Sequence, residues 1–407
     1  MLSRRVFLKN GAFAFVSLGF APSFMARTAV AASGRSKQLI AIFQRGAVDG
    51  LSVVVPHGES EYYRARPSIA IPRPNGGDAA AIDLDGFFGF NPKLQPLKPL
   101  WDRRELAIVH ACGSPDSTRS HFDAQDYMES ATPGVKRTRD GWLNRYLQAA
   151  SGERNPLRGV ALARTMPRSL EGAAPALAIG SVDEFGVRGN AGASFQDQYE
   201  GSSDRLLSAA GNDAFAAMRT LRHAAGVPYR PAAGVEYPST PFGKALEEIA
   251  RLAKADVGLE IAFTELGNWD HHVNEGAVTG RIATRLDEFS RGLAALAADL
   301  GDRLADTIIV TMSEFGRAVA ENGNGGTDHG HGNAMMVLGG NVRGGVHGTW
   351  PGLGDAHRFE GRDLAVTTDF RDVFSEIVAG HLGASRDSLA RIFPGFAPTV
   401  GPGVIRT

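Results

Sequence analysis

A glycine-rich loop late in the chain carries the densest group of side chains of the kinds that bind metals. Residues 326–332 place Asp328, His329 and His331 within four positions. Carboxylate and imidazole groups are ligands that zinc and related divalent metals use in proteins. Twelve of the 34 residues in 321–354 are glycine, and a glycine-rich backbone can approach a ligand closely. The loop therefore predicts part of a divalent-metal site.

A second polar group, Asp270 and His272, follows the predicted strand 259–263. On an extended backbone, side chains two residues apart project to the same side, and an Asp-x-His pair suits Zn or Mn. The alternative is a solvated loop in which His271 and His272 have no function. We favour the metal-binding interpretation because further polar clusters follow other predicted strands.

Two more carboxylates follow predicted strands. Glu314 comes directly after the strand 307–312, where it either pairs with Arg317 or binds a metal. Asp49 lies in a glycine-flanked turn after the strand 39–43. A carboxylate in such a turn can bind a metal, but Asp-Gly is also ordinary turn chemistry, which is the simpler interpretation of Asp49 taken alone.

Ser120 and His121 come after the predicted strand 106–110 and a nine-residue loop. Ser120, with Asp123 three residues later, has the pattern of a capping box at a helix start. A hydroxyl at a helix N-terminus also faces the positive end of the helix dipole, where anions bind. Capping and a nucleophilic role are therefore compatible for Ser120. For His121, the roles of metal ligand, base and ordinary first-turn histidine stay open.

Apolar β-rich runs alternate with helix-period segments along the chain, which is typical of an α/β fold with a doubly wound, largely parallel sheet and helices on both faces. The predicted strands are 39–43, 52–55, 106–110, 160–162, 259–263, 307–312 and 334–338. The predicted helices are 241–253, 281–304 and one that begins near Asp369. Residues 154–237 are richer in Ala, Gly and Pro, and we predict an insertion or cap there.

Ligands of a parallel sheet bind where the strands end and the loops begin. Five of the eleven histidines lie in the clusters around His121, His271 and His329, each of which follows a predicted strand. The side chains expected to share one metal-sized pocket are Asp49, Asp270, His272, Glu314 and His331, with His121, Asp328 and His329 as reserve ligands.

Composition excludes several classes of protein. The formal net charge is -1, so the chain lacks the basic character expected for binding nucleic acid or acidic lipid. Cys112 is the single cysteine, which excludes an internal disulfide framework and a cysteine-rich metal site. No Gly-x-Gly-x-x-Gly follows the first strand, and there is no haem or iron–sulfur spacing, so a redox protein finds little support.

The N-terminus predicts export. Arg4 and Arg5 begin a twin-arginine consensus that continues through Lys9, and a short apolar stretch follows at 12–20. This stretch is too short to span a membrane, which takes about 20 apolar residues. A small-x-small pattern at 29–31 predicts cleavage near Ala31. We therefore expect a signal peptide at 1–31 that the twin-arginine translocase recognises, and a folded mature chain of 32–407 in the periplasm or outside the cell, without a stable membrane anchor.

Five segments, taken in order, resemble domain-of-unknown-function family 1501 (DUF1501). They are 45–51, 120–122, 268–272, 313–317 and 326–329. The resemblance covers essentially the whole mature chain, and members of the family typically carry twin-arginine signals. It implies the alkaline phosphatase and sulfatase superfamily, and with it an alkaline-phosphatase-like fold whose metal site lies at the strand ends.

Residue by residue, the resemblance implies specific roles. Asp49 corresponds to the metal ligand after the first strand, and Ser120 stands where the nucleophile would be. Asp270 and His272 correspond to a metal pair, and His329 or His331 to a late ligand.

The chain also departs from the superfamily pattern at two places. The later Asp-His doublet appears here as Glu314-Phe315, so one imidazole is missing unless His121 or His329 supplies it. Cys112 is followed by Gly-Ser-Pro and lacks the Cys-x-Pro-x-Arg motif of sulfatases, which argues against formylglycine chemistry.

These observations give two functional hypotheses. The first is a hydrolase of phosphate or sulfate esters, acting on a small-molecule or polymer substrate, with one or two Zn, Mn or Mg ions and Ser120 as nucleophile. The second is a non-catalytic exported binding protein on a hydrolase-like scaffold, because fold does not dictate function. The missing doublet histidine motivates the second hypothesis.

Overall fold

The computed structural model describes residues 36–152, 155–183, 211, 215, 217–221, 228–399 and 401–406. The predicted export signal, including Arg4, Arg5 and the cleavage site near Ala31, lies outside these residues, as does much of the predicted insertion. Residues Lys37–Thr407 form one unit. Among the described residues, none of the helices has the length and apolar character needed to cross a membrane.

A mixed, mostly parallel sheet is the centre of this unit. The strands of the described residues are, in chain order, β1 (Gln38–Gln44), β2 (Val54–Val55), β3 (Ile82–Asp83), β4 (Gly89–Phe90), β5 (Leu106–Gly113), β6 (Gly159–Leu162), β7 (Leu177–Ile179), β8 (Ile261–Leu266), β9 (Thr307–Met312), β10 (Arg317–Glu321), β11 (Thr327–His329), β12 (Asn333–Gly339), β13 (Gly345–His347) and β14 (Thr368–Asp369). The central sheet has the order β13-β5-β12-β9-β1-β8-β6-β7, and β14 also pairs with β5.

All central strands run in one direction except β12. This strand is antiparallel to both β5 and β9, whereas β1 is parallel to β8 and β9. The carboxyl ends of β1, β5, β8 and β9 therefore meet at one edge of the sheet, and β12 begins at that same edge. Asn333, the first residue of β12, pairs with Cys112 near the end of β5. The reversed strand thus brings the loop before it, 326–332, to the edge where the parallel strands end.

Helices cover both faces of the sheet. They are α1 (Gly50–Val53), α2 (Ser60–Ala65), α3 (Lys98–Asp102), α4 (His121–Ser130), α5 (Trp142–Ala149), α6 (Pro241–Lys254), α7 (Arg281–Leu300), α8 (Phe370–Gly380) and α9 (Arg386–Ile392). Short 3₁₀ helices occupy Pro92–Leu97, Pro156–Arg158, Arg168–Leu170, Gly301–Asp306 and Asp355–His357.

The alternation of side chains along β1 divides the core into two layers. Every residue of β1 is buried, as expected for a parallel strand covered on both faces. Ile40 and Ile42 belong to the core beneath α6 and α7. Leu39 and Phe43 belong to the opposite core with α5 and α8. The predicted doubly wound α/β class is confirmed.

The smaller sheets lie outside the central one. Strands β2, β4 and β3 form an antiparallel sheet, and β10 pairs with β11 as an antiparallel hairpin. The hairpin carries residues 317–329 over the carboxyl edge of the central sheet. Its backbone bonds to the loop after β8, because Thr327 N donates to His271 O at 3.1 Å and Glu275 N donates to Gly325 O at 2.9 Å.

Most predicted elements occur close to their expected positions, but two differ. The predicted strand 52–55 is helical at its start, since Ser52 N and Val53 N both donate to Asp49 O, and its last two residues, β2, pair outside the central sheet. The predicted helix 281–304 is α-helical only to Leu300, because Gly301 adopts a φ of 52° and a ψ of -127°, a conformation with which no helix continues. Residues Gly301–Asp306 then form a 3₁₀ helix. Strands β6 and β7 fall within the predicted insertion 154–237 yet belong to the central sheet.

One buried histidine predicts how stability depends on pH. His110 is 2% exposed; its Nε2 faces Val54 O at 3.0 Å, and its Nδ1 accepts from Ala111 N at 3.1 Å. Both nitrogens are satisfied only in the neutral ring, and burial lowers the pKa of His110 to about 4. Between pH 6.5 and 4 the unfolded chain binds a proton at this residue that the folded chain excludes, so the free energy of unfolding falls as pH falls.

We expect His110→Phe to lose this part of the pH dependence. The difference in the free energy of unfolding between pH 7 and pH 4.5, measured with urea, should be smaller than in the wild type by about 2 kcal/mol. The exposed His357 provides the control. In His357→Phe, the difference in the free energy of unfolding between pH 7 and pH 4.5 should equal that of the wild type. A His110→Phe profile parallel to the wild type would contradict the assignment. The change in pH dependence can be measured even if the variant is less stable at every pH.

Candidate functional site

Three histidines direct their Nε2 atoms toward one point at the carboxyl edge of the sheet. His329 Nε2 lies 3.0 Å from His121 Nε2 and 2.9 Å from His272 Nε2. Asp270 completes the group: its Oδ1 is 3.0 Å from His272 Nε2 and 3.4 Å from His329 Nε2, and its Oδ2 is 3.6 Å from His121 Nε2. We call these four side chains the His–Asp cluster.

The other ring nitrogen of each histidine faces an acceptor. His121 Nδ1 is 2.8 Å from Glu314 Oε1, and His329 Nδ1 is 2.9 Å from Arg119 O. His272 Nδ1 is 3.5 Å from Asp328 Oδ1. A carboxylate or carbonyl oxygen can only accept, so the proton of each neutral ring of His121 and His329 is placed on Nδ1, and the Nε2 lone pair points into the cluster. His272 faces a carboxylate on both sides, because its Nε2 is also 3.0 Å from Asp270 Oδ1, so either of its nitrogens can carry the proton.

This arrangement fits a bound cation. Without one, the Nε2 lone pairs of His121 and His329 face each other at 3.0 Å, and His272 Nε2 lies 2.9 Å from His329 Nε2. A proton on one nitrogen can bridge one such contact, whereas a metal ion can accept several lone pairs at once. The ligand atoms of His121, Asp270 and His329 all lie within 4.8 Å of one another, and His272 contacts this group through His329 and Asp270. Acceptors that hold Nδ1–H and fix the tautomer are the usual outer partners of metal-binding histidines. Three imidazoles and one carboxylate match the preferences of Zn or Mn better than those of Mg, which prefers oxygen.

The pKa values of two histidines shift in opposite directions. The hydrogen bond with Glu314 raises the pKa of His121, whereas burial lowers the pKa of His329. A metal at the cluster would therefore compete with a proton at His121.

Asp270 is positioned by a buried arginine. Arg317 Nη2 donates to Asp270 Oδ1 at 2.6 Å. Burial raises the pKa of Asp270, but the hydrogen bond and charge of Arg317 lower it further, so the net shift is downward. The carboxylate is therefore kept charged beside the histidines. The backbone turns at Asp270, because His271 N donates to Trp269 O at 2.9 Å, so the expected extended conformation does not occur there. Asp270 and His272 both reach the cluster, while the intervening His271 is 3% exposed and has no contact with the cluster among the described residues.

The loop that contacts Arg317 after β1 has two residues with unusual backbone conformations. Arg317 Nε donates to Ala47 O at 2.7 Å, and Ala47 adopts a φ of 57°, a left-handed conformation that costs a residue with a Cβ about 1 kcal/mol or more. The preceding Gly46 has a φ of 114°, and a Cβ there would lie 2.8 Å from Asp270 N. Only glycine allows the turn after β1 to contact the loop after β8 this closely.

Glu314 lies behind the cluster, outside the group of inward-facing atoms. Its Oε1 accepts from His121 Nδ1, from Gln125 Nε2 and from Gly46 N, each at 2.8 Å. The side chain is fully buried. Burial raises its pKa, but these hydrogen bonds more than compensate, so the net pKa is lowered. The expected pairing of Glu314 with Arg317 does not form, because Arg317 pairs with Asp270. Glu314 instead holds the Nδ1 side of His121.

Asp49 does not take part in the cluster. Both of its carboxylate oxygens accept from the guanidinium of Arg66, one of them at 2.9 Å from Nη2. Arg66 is fully buried and also donates to the carbonyls of Ala318 and Val319. The expectation that Asp49 contributes to the shared pocket is corrected, because its charge neutralises a buried arginine.

The glycine-rich loop contributes a different histidine from the one expected first. His331 is 6% exposed and stacks on Phe359, with ring centroids 4.3 Å apart; it has no contact with the cluster in the described part of the chain. His329, which the sequence analysis gave as a reserve ligand, belongs to the cluster instead. Asp328 faces the outer nitrogen of His272 and accepts from Asn322 Nδ2 at 3.0 Å. Asp328 therefore orients a ligand.

Ser120 is the N-cap residue of α4 and is exposed. Its side chain makes no capping hydrogen bond, so the predicted capping box does not form; Asp123 pairs with Lys136 at 2.8 Å instead. The hydroxyl is thus free at the start of the helix, directly before the cluster residue His121.

Gln125 is a site residue that the sequence analysis missed. It lies four residues after His121, and residues at that spacing share one helix face. Its Nε2 donates to Glu314 and its Oε1 accepts from Arg45 Nη1 at 3.1 Å. The helical spacing was the signal that could have identified it.

Comparison with known families gives one match. The sequence profile described as "Protein of unknown function (DUF1501)" matches residues 107–376, a range that contains every member of the His–Asp cluster. No curated protein matches the sequence significantly.

Three solved structures are similar to this chain at low sequence identity. The lipoteichoic acid synthase LtaP from Listeria monocytogenes is 8% identical, with 92% of this chain and 77% of that chain covered and a TM-score of 0.35. The PsFucS1 sulfatase from Pseudoalteromonas sp. is 14% identical, with coverages of 94% and 75% and a TM-score of 0.34. A protein in the alkaline phosphatase superfamily from Vibrio parahaemolyticus is 11% identical, with coverages of 77% and 63% and a TM-score of 0.30.

Proposed function

The chain belongs to the DUF1501 family, and from its site we propose that it is a metal-dependent hydrolase of phosphate or sulfate esters. The observation that carries the proposal is the convergence of three imidazole Nε2 atoms on the Asp270 carboxylate, each imidazole with its Nδ1 facing an acceptor. The donor set is suited to one Zn or Mn ion.

His121, His272, His329 and Asp270 would hold the ion. A bound divalent cation would supply Lewis acidity and neutralise charge on the ester group. Glu314 and the Arg119 carbonyl keep His121 and His329 in the tautomer that binds, and Asp328 faces the outer nitrogen of His272. Arg317 keeps Asp270 charged and fixes its position.

Ser120 is the candidate nucleophile. Its exposed hydroxyl stands at the N-terminus of α4, next to His121, and the positive end of the helix would favour an anionic ester group there. In the proposed reaction Ser120 Oγ attacks phosphorus or sulfur, the bond to the ester oxygen breaks, and the alcohol leaves with a proton. Water then cleaves the serine ester and releases phosphate or sulfate.

Two exposed apolar side chains directly follow cluster residues in the chain. Phe122 is 90% exposed and Val273 is 45% exposed, and they directly follow His121 and His272. They offer an apolar surface to the organic part of an ester.

We also propose that the protein is exported in folded form through the twin-arginine translocase, to the periplasm or outside the cell. The support is the arginine pair with its matching neighbours in the sequence. Because this route carries folded cargo, the His–Asp cluster could be loaded with metal before export.

Metal binding is the first test. Protein offered Zn and Mn separately, then dialysed, should retain about one ion per chain by elemental analysis. His329→Ala should weaken the affinity by about 100-fold or more, because the central member of the cluster is lost. His357→Ala, an exposed histidine outside the cluster, should bind as the wild type does. Absence of a retained ion in the wild type, or wild-type affinity in His329→Ala, would remove the metal site.

Hydrolysis is the second test, with p-nitrophenyl phosphate and p-nitrophenyl sulfate as substrates and the metal-loaded protein as enzyme. Ser120→Ala should lower kcat by about 1,000-fold or more while metal content stays unchanged, since the hydroxyl is not a member of the cluster. Ser117→Ala, an exposed serine in the same loop, is the matched control and should keep full activity. Unchanged turnover in Ser120→Ala would exclude the nucleophile. Metal binding without turnover of any ester would instead favour the non-catalytic binding protein.

Export is tested by Arg4→Lys/Arg5→Lys. The folded precursor should accumulate in the cytoplasm, because the arginine pair is the recognised feature of the signal. Arg137→Lys/Arg139→Lys, an exposed pair in the mature chain, should not alter export. Cell fractionation with immunoblotting measures both, and normal export of the Arg4→Lys/Arg5→Lys variant would contradict the proposed route.

A further inference from the structure

A cleft of about 850 Å³ opens at the carboxyl edge of the sheet, on the side of β6 and β8. Its lining includes the residues that follow β6, the last part of β8 and the first turn of α6. The charged side chains that line it are Arg45, Arg164, Arg168, Lys244, Glu171 and Glu265.

The cleft shares a wall with the His–Asp cluster. Arg45 lines the cleft and donates to Gln125 Oε1 at 3.1 Å, and Gln125 in turn donates to Glu314, the residue that orients His121. Arg168, on the same lining, donates to Asp126 of α4 at 2.8 Å. Helix α4, which carries His121 and follows Ser120, therefore stands between the cleft and the cluster.

Two of the four basic side chains are already neutralised. Arg45 pairs with Glu129 at 2.8 Å and with Glu265 at 2.5 Å. Arg168 pairs with Asp126 at 2.8 Å and lies 3.7 Å from Glu171.

The other two basic side chains, Arg164 and Lys244, are exposed. Neither has an ion-pair partner among the described residues. They come from different elements, the loop after β6 and helix α6, and both line the one cleft. The cleft therefore presents two unpaired positive charges beside a site that is itself suited to an anionic ester.

We propose that this cleft binds a second sulfate or phosphate group of the substrate, with Arg164 and Lys244 as its contacts. The substrate is then a molecule with several anionic groups, one of which reaches the cluster while another lies in the cleft. The assignment of the first group rests on the proposed hydrolase function, whereas the cleft itself does not require turnover. The chain has a net charge of only -1, so the attraction comes from local charge placement.

Direct binding tests the cleft. Fluorescein-labelled dextran sulfate, followed by anisotropy at low salt, should bind the wild type, and Arg164→Ala/Lys244→Ala should bind it about tenfold more weakly or worse. The matched control is Lys37→Ala/Arg386→Ala, which removes the same two charges from exposed positions. Lys37 precedes β1 at the opposite edge of the sheet, and Arg386 follows the end of α8, where His381 contacts Gln38 O. Because all four side chains are exposed, both variants should melt as the wild type does.

The control must keep wild-type affinity, and neutral labelled dextran must not bind. Equal affinity in Arg164→Ala/Lys244→Ala, or an equal loss in both double variants, would overturn the proposal. Competition by tripolyphosphate and by a sulfated disaccharide identifies which anionic group the cleft prefers, and displacement by either supports the proposal. Displacement by neither would overturn it.

Two further measurements separate the cleft from the hydrolase proposal. If the wild type hydrolyses no ester but still binds dextran sulfate in a way that depends on Arg164 and Lys244, the cleft stands and only the hydrolase is rejected. If the protein does hydrolyse esters, Arg164→Ala/Lys244→Ala should raise KM for a bis-sulfated or bis-phosphorylated ester about tenfold, and leave KM for p-nitrophenyl phosphate or sulfate unchanged. An equal effect on both ester types would overturn the cleft while the hydrolase stands.

Discussion

The geometry of the site depends on one buried guanidinium, that of Arg317, which is 1% exposed. Its acceptors are the carbonyls of Gly46, Ala47, Trp269 and Thr327 and the carboxylate of Asp270. A buried charge is tolerated only where its donors are satisfied. The turn after β1, the loop after β8 and strand β11 must therefore all lie where this side chain can reach them. Two of the cluster's ligands follow directly from that constraint, because Asp270 contacts Arg317 and His272 is two residues further along the same loop.

A second buried arginine explains why two acidic groups, Asp49 and Glu275, have structural partners outside the His–Asp cluster. Arg66 pairs with Asp49 and donates to two carbonyls of β10, which fastens the hairpin to the start of α1. Glu275 is buried beside this pair, and its Oε2 accepts from Thr327 Oγ1 at 2.8 Å. Burial first, and then the charge of Asp49, raise the pKa of Glu275 well above its usual range. Arg66 donates to carbonyls of β10 and Arg317 donates to a carbonyl of β11. The two arginines thus fix the position of the hairpin that carries His329.

The sequence predicts what depends on neighbouring residues and periodicity. Strand β9 occurs at its predicted residues because Thr307–Met312 is a short, fully buried apolar run. The sequence also identified Asp270 and His272 as a pair, although the backbone turns between them and is not extended as predicted. The partners of Asp49 and Glu314 were beyond prediction, since Arg66 and His121 reach them only through the tertiary fold. The sequence could not decide whether His329 or His331 belongs to the cluster. That depends on β12 running antiparallel to its neighbours, because this direction determines how the glycine-rich loop approaches the edge of the sheet. Gly330 lies between the two histidines and packs against the Arg317 backbone, where a Cβ would lie 2.2 Å away. The two histidines on either side of it contact different residues.

Helix α4 connects the remaining parts of the site, which neither Arg317 nor Arg66 contacts. It carries His121 at its first position and Gln125 one turn later, and Ser120 immediately precedes it. Glu314 contacts both His121 and Gln125, and Gln125 contacts Arg45 on the wall of the cleft. A displacement of this helix would therefore move a cluster ligand and the serine hydroxyl together, and it would break the contact that leads to the cleft. The contacts of α4 with the buried Glu314 carboxylate thus set the distances between the cluster, the Ser120 hydroxyl and the basic cleft. Loops without such contacts would not keep these distances fixed.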